Sequence, residues 1–271
     1  MDMEIGTTVR NMGHQSSAEI VLGCTLAAEA RGIESVWITD HIAIPPDDAE
    51  GSGGRYLDTL TALAWMGGAT SKIKLGSGVL IIPYRPILPT AKQVATIQEL
   101  TRERLILGVG IGWMDAEFRA LGVDRHQRGS ISDATLAFLN QCFEQDEVAL
   151  NGQSFLFKPR PKRPPILVGG SGPHALERAA RYADGWLPMA RDPAKLEAPI
   201  AQYSKLCEEH GKPAGTVTVM TGLPLDDGDQ ACRMLDAYRE LGVERVVCSI
   251  SYENVDDYER SLDSLTALVA R

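Results

Sequence analysis

The sequence predicts an α/β protein, a single (β/α)8 TIM barrel spanning residues 1–271. Three observations predict it. Strand-like and helix-like runs alternate along the whole chain. Eight strand runs occur in about the 250 residues that such a barrel needs. Several of those runs are continuously apolar, as strands buried on both faces of a parallel sheet are. An open doubly wound sheet would show the same alternation, because strand order is not written in a sequence; the count of eight favours the barrel.

In chain order the strands are expected at Met3–Val9, Ser35–Thr39, Ile73–Ile82, Leu105–Ile111, Pro165–Val168, Gly185–Leu187, Val217–Thr221 and Val246–Ile250. Ser16 with Glu19 reads as a capping box opening the first helix, and Gly32 as its stop. Ile131, Thr135, Phe138 and Cys142 recur at helical spacing. So do Leu196, Ile200, Tyr203 and Cys207, and then Tyr258, Leu262, Leu265 and Val269. Each stripe would cover the sheet. One segment departs from the rhythm: Val148 to Phe157 carries Asn151-Gly152 between β-prone stretches, a hairpin signal outside the barrel. The Pro-rich, basic run Lys158–Pro165 then reads as a stiff solvated connector.

Composition removes several function classes. Lys and Arg number 27 against 36 Asp and Glu, a formal charge of −9, which argues against a nucleic-acid binder. No apolar run approaches the roughly 18 residues of a membrane helix, and the start Met1-Asp2-Met3-Glu4 lacks the look of a secretory signal. Five scattered cysteines without a C-x-x-C suggest reduced thiols, not a disulfide frame or zinc site. The expectation is a cytoplasmic protein with a small-molecule partner and no metal.

In a barrel the chemistry belongs at the C-terminal strand ends. The second strand ends in Asp40-His41, a titratable pair with few packing reasons to stand there. The third contains Gly76-Ser77-Gly78-Val79; glycines inside an apolar strand point to a bulge or to a close approach by a ligand or another backbone. The fourth runs into Gly108-Val109-Gly110-Ile111-Gly112-Trp113, which fails the dinucleotide fingerprint because Trp113 takes the third glycine's place. The fifth runs through Gly169-Gly170-Ser171-Gly172 onto a helix, where exposed N–H groups and the helix dipole favour a phosphate. These residues suit a phosphorylated ligand with a planar ring and do not identify the ring.

At Ser35–His41, Leu75–Arg85, Arg104–Trp113, Ile166–Pro173 and Ala183–Pro188 the chain resembles the luciferase-like monooxygenase family of flavin- and deazaflavin-dependent barrels. Glu117–Gly122 with Arg128-Gly129 is similar to its F420-dependent oxidoreductase subgroup. The resemblance implies a deazaflavin or flavin ring in the barrel mouth. Ser77, Gly78, Val79 and Gly110 would lie by the ring, with a cis peptide at Gly78–Val79. Gly169, Gly170, Ser171 and Gly172 would receive the phosphate. Asp40 and His41 would stand beside the ring as cofactor contact and catalytic pair, His41 moving or orienting a proton. Trp113 and Arg128 are the candidate substrate-pocket residues. Sugar-phosphate dehydrogenases of the family carry a Glu at the position of Trp113, so that reaction is not expected here.

The expected activity is hydride transfer between coenzyme F420 and a small organic substrate. The alternatives are an FMN-dependent monooxygenase using oxygen and a non-catalytic flavin-binding protein; His41 speaks against the last. A phosphosugar isomerase or lyase would need a Lys or Glu at a strand end, where none stands. Arg10, Arg85 and Lys92 lie near strand ends, where the anionic tail of F420 would want basic groups. A homodimer is common in the family and compatible with the apolar helical faces.

Overall fold

A computed structural model describes residues 3–269. Its strands are β1 (Glu4–Thr8), β2 (Ser35–Ile38), β3 (Lys74–Ser77), β4 (Leu80–Ile81), β5 (Leu105–Gly110), β6 (Glu147–Leu150), β7 (Gln153–Leu156), β8 (Ile166–Gly169), β9 (Gly185–Leu187), β10 (Thr216–Thr221) and β11 (Arg245–Cys248). The main sheet runs β3-β2-β1-β11-β10-β9-β8-β5, and β5 pairs back onto β3. Every pairing around it is parallel, so the sheet closes into the eight-stave (β/α)8 barrel. The helices outside it are α1 (Ala18–Ala30), α2 (Thr59–Ala69), α3 (Ile87–Leu100), α4 (Asp115–Leu121), α5 (Arg128–Glu144), α6 (Pro173–Tyr182), α7 (Glu197–Glu209), α8 (Gly228–Glu240) and α9 (Val255–Val269).

The third stave is where the sequence reading needs correction. The expected strand Ile73–Ile82 breaks into β3 and β4 around Gly78-Val79, whose peptide bond is cis. Gly76 pairs with Ile106, yet Leu80 already pairs with Val109. Four steps along β3–β4 therefore oppose three along β5, which is a bulge. The two glycines have different causes. A Cβ on Gly76 would lie 2.3 Å from the Trp37 ring, and one on Gly78 2.3 Å from the Met220 methyl. Trp37 fills the barrel interior with Ile106, Leu167, Leu187, Met220 and Val247. A second, larger apolar layer lies between sheet and helices.

Two smaller expectations shift. The cap of α1 is Ser17, whose Oγ accepts from Ile20 N, while Ser16 Oγ donates to Gly13 O. Val269 is exposed, so the last helical stripe is buried only over Tyr258, Leu262 and Leu265. The hairpin forms as β6 and β7 in antiparallel register, with Asn151 and Gly152 both at positive φ as a two-residue I′-like turn requires. The connector after it is tied down: Lys158 and Arg160 both pair with Asp146. No helix among the described residues is long and apolar enough to cross a membrane.

Candidate active site

A cavity of about 560 Å³ opens at the C-terminal ends of the staves. All eight contribute. Thr8 ends β1 and Arg10 follows it, and Thr39, Asp40 and His41 follow β2. Gly78 and Val79 form the bulge, and Gly110 to Trp113 leave β5. Gly169 and Gly170 leave β8, Met189 follows β9, Met220 belongs to β10, and Ser249 to Ser251 follow β11.

The floor is built of residues without side chains around one that has one. Cβ atoms added to Gly110 and Gly169 would lie 2.4 and 2.7 Å from the two γ-methyls of Val79. Val79 is thus wedged between two bare strands, and the floor is flat and apolar. On the β8 side, Gly170 (φ 108°) and Gly172 (φ 84°) turn the chain onto the N-terminus of α6, with no neighbour filling the space above Gly172. Non-glycine residues rarely take such angles, and the turn leaves backbone N–H groups and the positive helix end facing outward. Ser171 and Gly172 are exposed at the rim beyond the cavity lining.

His41 is the one titratable ring on the lining, and its partner is Glu117, not the adjacent Asp40. His41 Nδ1 lies 2.8 Å from Glu117 Oε2. The Glu117 carboxylate is fully buried, and Oε1 accepts from Ile42 N at 2.6 Å and Ala43 N at 2.9 Å, while Oε2 also accepts from Tyr84 Oη at 3.0 Å. Burial pushes its pKa up, but the Ala43 and Ile42 amides and His41 outweigh that and hold it below the ordinary carboxylate range. Tyr84 is shifted the other way, by burial and by the Glu117 charge, and so stays a hydroxyl donor. An ionised Glu117 can only accept, so the Nδ1 of His41 carries the proton. Nε2 has no protein partner among the described residues and is the free nitrogen. Tyr56 and Trp113 flank the ring at centroid distances of 5.0 and 6.4 Å.

Asp40 has a different task. Its side chain is fully buried and forms a bidentate pair with Arg85, at 2.6 and 2.8 Å, while accepting from Ile81 N and Thr59 Oγ1, each at 2.8 Å. Both oxygens are committed, so the carboxylate locks the bulge to the loop after β2. Ser77 is likewise structural: its Oγ is buried and donates to Gly108 O at 2.8 Å, bracing β3 against β5. Arg128 starts α5, donates to Arg125 O at 2.9 Å and is absent from the lining. Trp113 stands at the rim, 64% exposed. The described residues hold no cluster of His, Cys, Asp or Glu that could bind a metal.

The profile of the luciferase-like monooxygenase family matches residues 1–246. The chain belongs to this family. An F420-dependent hydroxymycolic acid dehydrogenase of Mycobacterium tuberculosis is 31% identical over 225 residues, covering 79% of this chain and 61% of its own. Two solved structures share the fold. An F420-dependent secondary alcohol dehydrogenase superposes with a TM-score of 0.82 at 15% identity, over 100% of both chains. The oxygenating constituent of 3,6-diketocamphane monooxygenase from Pseudomonas putida, in complex with FMN, gives 0.78 at 14% identity, over 100% of this chain and 98% of its own. F420-dependent dehydrogenases and an FMN-bound monooxygenase thus both stand among the similar proteins.

Glu117 is the residue that the strand-end reading passes over. It sits on α4, past the end of β5 at Gly110 and inside a helix rather than at a strand end, and its own signal was only its place in the Glu117–Gly122 motif. The conformation of the loop after β2 and the position of α4 bring it 2.8 Å from a residue 76 positions earlier.

Proposed function

We propose that the protein is an oxidoreductase that uses coenzyme F420 to move a hydride to or from a small organic substrate. The observation that carries this reading is the His41–Glu117 pair on the wall of a flat, glycine-floored cavity. The cavity fits such a group: the bare floor at Gly78, Gly110 and Gly169 leaves room for a fused ring, and the Gly169–Gly172 turn offers N–H groups to a phosphate. A bound deazaflavin supplies or accepts the hydride. His41 exchanges the accompanying proton through Nε2, because Glu117 holds Nδ1 protonated and the ring oriented. Asp40 and Arg85 are positioning residues that keep the bulge in place under the floor. Trp113 presents its indole to the substrate.

F420 is preferred over FMN because a named F420-dependent relative reaches 31% identity. The FMN-dependent monooxygenase reading draws its support from the fold shared with the FMN-bound diketocamphane enzyme. Absorbance and fluorescence titration of the purified protein with F420 and with FMN tests the choice. Tighter binding of F420, and turnover with reduced F420 in a dye-reduction assay, is the expected result. Tighter binding of FMN with oxygen uptake replaces it by the monooxygenase reading.

A further inference from the structure

Charges around the cavity are almost all neutralised locally. Asp40 is paired with Arg85, which also reaches Asp58 at 3.0 Å, and His41 is held by Glu117. Arg10 is different. Its backbone is pinned, since its N–H donates to Tyr252 Oη at 2.8 Å and the preceding Val9 N–H donates to Trp37 O at 2.9 Å. The guanidinium, however, makes a single marginal contact, 3.5 Å to Gly51 O, and Nε is buried with no acceptor. No carboxylate pairs with Arg10 among the described residues, in a chain with 36 Asp and Glu to offer. Arg125, Arg128, Arg160 and Arg163 also each have a buried guanidinium nitrogen without an acceptor, but each lies against another partner, Asp115, Arg125 O, Asp146 and Asp184 respectively. The Arg10 guanidinium has the Gly51 contact alone, which leaves its lost hydration uncompensated. Lys92, the third basic group expected near the strand ends, lies within α3 and away from the cavity lining, spent on Lys158 O and on the Phe157 ring.

Arg10 also stands in an informative place. In the order β1, β2, β3, β5, β8 it follows the stave four steps from β8 by either route, diametrically across from the glycine turn. A phosphate seated at that turn leaves Arg10 to another anion. Two large apolar side chains stand open at the rim, Trp113 64% and Met189 81% exposed, with the small exposed Ser249 and Ser251 beside them. We infer that Arg10 is the substrate-recognition residue of this cavity, gripping the carboxylate of an otherwise apolar substrate whose hydrocarbon part lies against Trp113 and Met189. Guanidinium and carboxylate match as a two-point hydrogen-bonding pair. The inference deepens the proposed function and rests on it for the location of the cofactor phosphate.

The test compares hexanoate with its neutral counterpart hexanamide. Binding is followed by tryptophan fluorescence in the protein alone and by cofactor absorbance in the F420-loaded protein, for wild type, Arg10→Gln and Arg10→Lys. Melting temperatures verify that the variants fold; the pinned Arg10 backbone is unaltered by either substitution. Loss of one charged hydrogen-bonded contact predicts that wild type prefers hexanoate by about tenfold or more. That preference should vanish in Arg10→Gln and survive in part in Arg10→Lys, with F420 and FMN affinity unchanged. Equal binding of the two probes, or no binding of either, overturns the inference. So does an Arg10→Gln variant that loses cofactor affinity while keeping the hexanoate preference, which would give Arg10 to the cofactor's anionic tail. If neither cofactor binds wild type, the proposed function fails by itself, and the hexanoate preference of the unloaded protein still reports on Arg10.

Discussion

Glu117 reaches His41 from α4 with one oxygen and two backbone amides with the other, so each group in the cluster is tied to the next. Removing either member has a separable effect. His41→Ala should lower turnover by about 10²–10⁴-fold, the usual contribution of a general acid–base, and leave cofactor affinity nearly intact. Parallel titration and dye-reduction assays check it; full turnover would return His41 to a packing role. Glu117→Gln should lower turnover less, because the amide can still sit beside the ring but no longer demands a proton on Nδ1. It should also cost roughly 1–3 kcal/mol, since buried donors from Ile42, Ala43 and Tyr84 lose a charged acceptor. Chemical denaturation at pH 7 measures that loss. The depressed pKa of Glu117 sets the sign with pH: its contribution is present above the ordinary carboxylate range and is lost as pH falls through its lower folded-state value.

At the level of elements, the bulge between β3 and β4 is shaped by what faces it. Gly110→Ala should destabilise by about 1–3 kcal/mol through overpacking, because its Cβ would meet a Val79 methyl at 2.4 Å. Val79→Ala in the same chain should restore much of that loss, and a double-mutant cycle from denaturation curves reads the coupling. Additive effects would mean that the two strands are free to move apart. Gly108→Ala has no such rescue, since its Cβ would lie 2.0 Å from the Ser77 carbonyl oxygen. The glycine turn after β8 calls for care in choosing a variant. Gly170 is at φ 108°, so any side chain there strains the turn whatever it does to an anion. Ser171→Glu avoids that conformation and sets a carboxylate at the start of α6. It should weaken F420 and FMN binding with an unchanged melting temperature, and unchanged affinity would remove the phosphate from this turn.

Over the whole molecule, closure of the barrel joins the first strand to the last. Below the sheet Arg245 of β11 binds Glu34 at 2.9 Å and also Glu4 of β1, and Lys74 of β3 reaches Glu34 at 2.7 Å. Burial tends to raise the Glu34 pKa, yet Arg245, Lys74 and Ser35 bring it below the ordinary value. Its stabilisation is therefore complete above the ordinary carboxylate range and declines as pH falls through the lower folded-state value. Arg245→Met should remove roughly 1–3 kcal/mol at pH 7 and flatten the acid limb of a melting-temperature profile. An unaltered acid limb would show that closure does not depend on this charge cluster.

The pattern of apolar runs was enough to locate eight staves along the chain and, by their number, to favour the barrel, because parallel strands buried on both faces have a local signature. The order of the staves and the closure of β5 onto β3 were decided only by the tertiary structure. Asn151-Gly152 determined its hairpin for a similar reason: the turn's two positive φ angles are a property of two adjacent residues. Gly169–Gly172 announced a bare turn onto a helix in the same way. What Asp40 and His41 do was not local. They are neighbours in sequence, but they stand in the loop after β2, where no repeating geometry fixes which way each side chain turns. Asp40 went to Arg85, 45 residues on, and His41 to Glu117, 76 residues on. The vacancy beside Arg10 is visible only once every carboxylate has been given a place. Partners of charged groups are chosen by the closed barrel, since burial makes an unpaired charge costly and only the tertiary fold decides which charges are buried together.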